Sequence, residues 1–77
     1  MPLVNVKAIE GVFTPTQKQE MIREVTDTIV SIRGENIRPA IVVVVEDIKS
    51  GDWGIGGNPI TTDGARVLVA GKLKAAA

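Results

Sequence analysis

The chain has 77 residues, contains neither Cys nor His, and carries nine basic and nine acidic residues. Without Cys it cannot form disulfides, and without His a zinc or copper site would have to rely on carboxylates alone, which disfavours one. A net charge of zero and only two aromatic residues disfavour nucleic-acid binding.

The chain is short for its apolar content. A domain of this size buries only about 60% of its unfolded surface, although 44% of the residues are apolar. We therefore expect one domain over residues 1–71, stabilised by assembly with further copies of itself. The longest apolar run, Ala40–Val45, is too short to span a membrane, and no signal-peptide pattern precedes it. We expect a cytoplasmic protein with no membrane partner, and Lys72–Ala77 to be a disordered or vector-derived tail.

Residue 2 is a proline next to the initiator Met, a context that favours removal of Met1. Pro2 would then carry a secondary amine at the chain terminus. An α-amino group has a pKa near 8, and burial in an apolar site lowers the pKa of such a group toward neutrality. The residue is therefore a candidate base, although proline is also a common second residue with no such role.

The first half of the chain predicts a strand followed by a helix. Leu3–Ile9 mixes alternation with apolar content, as a partly buried strand does, and Glu10-Gly11 ends it. Thr14 is the predicted N-cap, with Pro15 at the first helical position and Gln17 completing a capping box. Apolar residues at three- and four-residue intervals predict one long amphipathic helix over Thr14–Arg33: Met21, Ile22, Val25, Ile29 and Ile32. Gly34 is its predicted stop.

A second strand is predicted after Pro39. The β-branched run Ala40–Val45 is typical of a strand that is covered on both faces, as in a parallel sheet. Strand, helix and strand of these lengths form one right-handed βαβ crossover. The helix would cover one face of the sheet, and we expect another copy to cover the other.

The region after the second strand is rich in glycine. Gly51–Gly57 surrounds the sole Trp, Trp53, and predicts a hairpin or bulged turn with positive φ angles. It does not fit the dinucleotide-binding pattern, because no strand-to-helix turn of the required kind precedes it. Thr61–Asp63 could cap a short helix through Ala70, whereas Arg66–Val69 could equally form a strand. Both alternatives stay open.

Taken together, these features resemble the 4-oxalocrotonate tautomerase family over residues 2 to about 60. The resemblance implies an α/β (α+β) fold: a βαβ protomer with parallel strands, one long amphipathic helix and a C-terminal Gly-rich hairpin, packed as a hexamer. It also implies proton transfer by the N-terminal proline without metal or organic cofactor. The residues that carry it are Pro2, Ile9-Glu10-Gly11, Gln17-Lys18, Ile22-Arg23-Glu24-Val25 and Gly54-Ile55-Gly56-Gly57.

Carried over by position, the resemblance makes Pro2 the catalytic base and Trp53 the aromatic wall of the site. The family's two substrate-binding arginines do not carry over, because Val12 and Val42 stand at those positions. Two valines can neither hold a carboxylate nor stabilise a dienolate oxygen. Lys7 and Arg38 are the candidate substrate-binding residues that remain.

We expect an isomerase that catalyses keto–enol or double-bond tautomerisation of a small enol or 2-oxo acid. One alternative is a hydratase or dehalogenase acting on an unsaturated acid, in which Glu10, Glu46 or Asp47 would activate water. The other is a degenerate structural subunit that needs a partner chain to bring the missing arginines.

Overall fold

The structure is a computed structural model that describes residues 1–71. The predicted tail Lys72–Ala77 lies outside the described residues. In chain order the elements are β1 (Leu3–Ile9), α1 (Pro15–Arg33), a 3₁₀ segment (Glu35–Ala40), β2 (Val42–Ile48), β3 (Trp53–Ile55), β4 (Asn58–Ile60) and α2 (Thr62–Val69). No helix within this range is both long and apolar enough to cross a membrane.

The strands form two separate pairs, β1 with β2 and β3 with β4. The Val42 N–H donates to the Pro2 carbonyl at 3.0 Å, and the Glu10 N–H donates to the Ile48 carbonyl at 2.7 Å. β1 and β2 therefore run in the same direction, which confirms the predicted parallel βαβ arrangement. The chain divides into a first unit of Met1–Lys7 with Phe13–Glu46, and a second unit of Ala8–Val12 with the chain from Asp47 onward. One domain over residues 1–71 stays a prediction.

Local signals at both ends of α1 are formed as predicted. The Thr14 hydroxyl accepts the Gln17 N–H at 3.1 Å, and the Gln17 side chain accepts the Thr14 N–H at 2.9 Å. These reciprocal bonds are the capping box, with Pro15 at the first helical position. At the other end the Gly34 N–H donates to the Val30 carbonyl at 2.7 Å. The predicted helix is confirmed.

The cap makes a testable contribution to stability. Thr14→Ala should lower the free energy of unfolding by about 1 kcal/mol, because it removes the acceptor for one unsatisfied N–H of the first turn. Urea titrations at one fixed protomer concentration measure this difference. Thr16→Ala is the control, since Thr16 is exposed and takes no part in the capping box. An equal loss in both variants would contradict the capping role.

β2 differs from the prediction in its limits and its burial. It begins at Val42 rather than Ala40, because the 3₁₀ segment Glu35–Ala40 includes Pro39. The fixed φ of proline suits such a turn. No side chain of β2 is fully buried, and Val42 is 43% exposed. Within residues 1–71 of the single chain, the expected cover on both faces is therefore absent.

One face of the β1–β2 sheet is left open in the first unit. Along β1 the exposed residues Leu3 and Asn5 alternate with the half-buried Val4 and Val6. The Asn5 side-chain amide donates to the Glu46 carboxylate of β2, so both side chains lie on the open face. Leu3 is 64% exposed. This face therefore has apolar and polar parts without cover from the rest of the first unit.

In the second unit, β3 and β4 form the predicted Gly-rich hairpin. They pair antiparallel, with Trp53 opposite Ile60 and Ile55 opposite Asn58. The two loop residues between them, Gly56 and Gly57, have φ angles of 58° and 83°. Two consecutive positive φ angles are what a two-residue type I′ hairpin turn requires, and glycine adopts them without steric strain.

The structure decides that the last element is a helix. Thr61 caps α2 by accepting the Gly64 N–H at 3.2 Å. Thr62 and Arg66, four residues apart on one face of the helix, reach two successive carbonyls after β1. The Thr62 hydroxyl donates to the Glu10 carbonyl at 2.8 Å. Arg66 donates to the Gly11 carbonyl through Nε at 3.2 Å and Nη2 at 3.0 Å.

Candidate active site

Pro2 lies immediately before β1 and is held by the sheet. Its ring is half-buried, and its carbonyl accepts the Val42 N–H at 3.0 Å. Met1, by contrast, is 97% exposed. An amine at residue 2 would therefore belong to an ordered part of the sheet, while the residue before it is open to solvent.

Lys7 is a second predicted site residue on β1. Its side chain is exposed and, among residues 1–71, has no hydrogen bond or ion pair. Five residues of extended strand separate it from Pro2, which is about 16 Å. Lys7 and Pro2 of one copy are therefore too far apart to contact the same small acid. A substrate-binding role for Lys7 stays a prediction.

Arg38 of the 3₁₀ segment is bound to two carboxylates. Its Nε lies 2.7 Å from Glu35 Oε1, and its Nη1 lies 2.8 Å from Asp27 Oδ1 on α1. The hydrogen bond from Arg38 lowers the pKa of Glu35, and the same bond raises the pKa of the guanidinium. Its charge is therefore balanced within the chain. A role for Arg38 in substrate binding stays a prediction.

This ion-pair cluster should make part of the stability depend on pH. Because the folded-state pKa of Glu35 lies below 4.5, its contribution is present above that value and is lost as the pH falls through the folded-state pKa. Arg38→Gln should lower the melting temperature by a few degrees at neutral pH, since exposed pairs contribute little. The difference from the native chain should shrink at about pH 3.

Thermal unfolding followed by circular dichroism at both pH values measures the effect of Arg38→Gln. Arg23→Gln is the matched control, because Arg23 is an exposed arginine on α1 without a partner in the described chain. A melting difference for Arg38→Gln that is equally large in acid would contradict the assignment to Glu35 and Asp27.

Trp53 opens β3 and is half-buried opposite Ile60. It belongs to the second unit, whereas Pro2, Lys7 and Arg38 belong to the first. Trp53 as the aromatic wall of the site stays a prediction.

The carboxylates that could activate water are already engaged. Glu10 Oε1 accepts the Ser50 N–H at 3.0 Å, and Glu46 accepts the amide of Asn5. Asp47 also has an interaction partner. In residues 1–71 no cluster of Asp and Glu could hold a metal ion. These bonds give the two glutamates structural roles, Glu10 at the end of β1 and Glu46 within β2.

A cavity of about 370 Å³ is lined by Arg33, Asn36 and Ile37, where α1 meets the 3₁₀ segment. None of the four predicted site residues is among these lining residues. The cavity offers a cation and an amide but no group that could act as a base at neutral pH.

The positions at which the resemblance expects arginines are apolar. Val12 is half-buried, and Val42 is 43% exposed. Arg66, which is not among the predicted site residues, is bound to the carbonyl of Gly11, the residue before Val12. The sequence feature that could have indicated Arg66 is its four-residue spacing from Thr62. That spacing places the two side chains on one face only if the segment is a helix.

Comparison with known proteins decides the family. The family profile described as "Tautomerase enzyme" matches residues 2–63. The chain is 37% identical over 62 residues to the "Probable tautomerase K2" of Dickeya dadantii, a match covering 79% of this chain and 90% of that relative. It is 28% identical to a 4-oxalocrotonate tautomerase isozyme of Methylibium petroleiphilum, with a TM-score of 0.67 over 83% of this chain and 97% of the other. The chain belongs to the 4-oxalocrotonate tautomerase family.

A further solved structure supports the same fold. The tautomerase is 33% identical to DmpI of Helicobacter pylori, with a TM-score of 0.66 over 77% of this chain and 95% of the other. Family and relatives together make the protein an enzyme of the isomerase class with tautomerase activity. The prediction of a tautomerase is therefore confirmed, and a purely structural subunit is not the reading that these relatives support.

Proposed function

We propose that this tautomerase moves a proton within a small enol or 2-oxo acid, and that the Pro2 nitrogen, freed by removal of Met1, is its general base. The observation that carries the proposal is the setting of Pro2. The residue is half-buried and tied to β2 through Val42, whereas Met1 is 97% exposed. The family match also begins at residue 2.

The chemistry requires only a neutral secondary amine. Its lone pair takes a proton from the enol hydroxyl or from a carbon next to a carbonyl, and the resulting ammonium returns that proton to another carbon of the same molecule. Atoms and charge balance without a metal or an organic cofactor. The proline ring fixes the direction of the lone pair, which favours proton transfer at one face of the substrate.

An apolar surrounding would keep this amine neutral, and we propose that other copies of the chain supply it. Leu3 follows Pro2 in the sequence and is 64% exposed in the single chain. Val42, whose N–H donates to the Pro2 carbonyl, is 43% exposed. Covering them would remove water from the neighbourhood of the nitrogen and lower its pKa. Assembly as a homo-oligomer follows from this need. The hexamer is inferred from the family resemblance.

The substrate is proposed to carry one carboxylate rather than two. Val12 and Val42 remove both cations that the resemblance expects, and Arg38 is balanced by Glu35 and Asp27. A chain with fewer available cations should prefer a monoanionic enol acid. Ketonisation of phenylenolpyruvate should therefore have a higher kcat/KM than that of a hydroxymuconate. Comparison of native protein with Pro2→Ala on phenylenolpyruvate tests the function itself, and equal rates would refute it.

A further inference from the structure

Arg66 is fixed in place by a neutral group rather than by an acid. Nε and Nη2 both donate to the Gly11 carbonyl, at 3.2 and 3.0 Å. Its nearest carboxylate belongs to Asp63, with Oδ1 3.9 Å from Nη1, and the Asp63 side chain is 94% exposed. Unlike Arg38, Arg66 therefore keeps most of its positive charge available.

The outer edge of this guanidinium is open. A guanidinium has five N–H donors in a planar fork, and two of them point to the Gly11 carbonyl. The remaining donors include both on Nη1, and the side chain is 60% exposed. A carboxylate that approaches this edge can form two parallel N–H···O bonds, which is the strongest geometry for such a pair.

The turn after β1 is shaped to receive Arg66. Gly11 has a φ of 81°, and a Cβ there would lie 3.1 Å from Arg66 Nη2 and 2.9 Å from Thr62 Cγ2. Thr62 is itself bonded to the Glu10 carbonyl at 2.8 Å. The missing Cβ of Gly11 thus leaves room for the guanidinium, and two hydrogen bonds to the Gly11 carbonyl hold it in place. Little side-chain entropy would remain to be lost on binding an anion.

We propose that Arg66 binds the carboxylate of a substrate that reacts at Pro2 of another copy. Its anchor, Gly11, lies beyond Lys7 along the chain, and Lys7 is already too far from Pro2 of its own copy to contact the same small acid. The inference rests on the proposed function, in that it names the cation that an enol or 2-oxo monoacid requires. Arg66 lies outside residues 2–63, the range that the family profile matches, so the feature belongs to the C-terminal part of this chain. The carbonyl that anchors Arg66 belongs to Gly11, the residue before Val12.

A purely structural role for Arg66, as an anchor of α2, makes different predictions. Loss of a purely structural anchor would change the affinities for neutral and charged ligands alike. Neutralising Asp63 would then change neither affinity. A carboxylate-binding arginine discriminates between an acid and its amide. It also binds the acid more tightly when Asp63, which competes for the same guanidinium edge, is neutralised.

The binding experiment uses 3-phenylpropanoate as a non-reacting acid and 3-phenylpropanamide as its neutral match, with calorimetric titration of the full chain. Arg66→Gln should weaken binding of the acid at least about tenfold, because a charge-assisted pair is lost, and should leave the amide unchanged. Arg66→Lys should recover part of the affinity. Asp63→Asn should increase the affinity for the acid a few-fold. Arg33 is an exposed arginine elsewhere, and Arg33→Gln should change the affinity for neither ligand.

The kinetic experiment separates the two proposals. Arg66→Gln should raise KM for phenylenolpyruvate about tenfold with kcat nearly unchanged, while Pro2→Ala lowers kcat. If native protein has no turnover, the proposed function fails and the titration still decides the role of Arg66. If Arg66→Gln binds acid and amide as the native chain does, or loses both equally, the carboxylate-binding role is overturned while the function of Pro2 stands. Circular dichroism of each variant verifies that α2 is retained, and Asp63→Asn tests the proposal with Arg66 intact.

Discussion

Pro2→Ala is expected to lower kcat/KM for ketonisation of phenylenolpyruvate by about a hundredfold, the usual cost of a misplaced catalytic group. Alanine leaves a primary amine on a freely rotating terminus, so the base is present but no longer fixed in direction. An uncleaved extension before Pro2 should have a larger effect, about 10²–10⁴-fold, which is the usual contribution of a general base. In that variant the nitrogen is an amide without basicity, although the side chain is unchanged.

The controls for this prediction address the state of the terminus. Mass spectrometry of the native protein should find the chain without Met1, and an extension of the same length at the C-terminus should leave the rate unchanged. In the native enzyme kcat/KM should rise with pH as the amine loses its proton. Its midpoint should lie below the usual α-amino value of about 8, because burial disfavours the charged form. Full activity in a chain that retains Met1 would contradict Pro2 as the base.

Gly11→Ala is expected to cause a large loss of stability in the second unit. Its φ of 81° is unfavourable for alanine, which contributes about 1–2 kcal/mol. The new Cβ would also lie 2.9 Å from Thr62 Cγ2. Forcing that contact apart typically destabilises by a further 1–3 kcal/mol, roughly the range for overpacked sites. The melting temperature should fall by roughly 10 °C or more, at 4–8 °C per kcal/mol for a domain of this size.

Gly51→Ala is the matched control for Gly11→Ala. Gly51 has a similar φ of 89°, but a Cβ there meets nothing within 4 Å. It should therefore show the backbone effect alone, while hydrogen exchange of α2 amides should accelerate only in Gly11→Ala. If both variants lost the same stability, close packing of α2 against the turn after β1 would not be the reason for glycine at position 11.

Elements with short-range signals could be predicted from the sequence. The helix α1 and its N-cap could both be predicted. Thr14, Pro15 and Gln17 act within one turn, and the apolar period extends over the whole helix. A hairpin or bulged turn was likewise predicted from the glycine-rich segment Gly51–Gly57, because positive φ angles are a local property of glycine. The structure places the turn itself at Gly56-Gly57. The parallel pairing of the two strands followed from the length of the crossover between them.

Elements whose signals depend on distant residues were less predictable. The start of β2 was wrong by two residues, because apolar content at Ala40 does not reveal a 3₁₀ segment that is anchored to α1 through Arg38 and Asp27. α2 stayed ambiguous, because Arg66–Val69 is compatible with helix or strand. Contacts of Thr62 and Arg66 with carbonyls more than fifty residues earlier in the chain stabilise the helix.

The candidate site divides in the same way. Pro2 could be proposed from the chain alone, because its chemistry depends on its place next to Met1 and on the intrinsic properties of a secondary amine. The different states of Arg38 and Arg66, one balanced by two carboxylates and one held by a peptide carbonyl, could not be derived from composition or periodicity. Both arginines look alike in a sequence, and only the groups that folding brings beside each guanidinium decide how much of its charge remains available to a ligand.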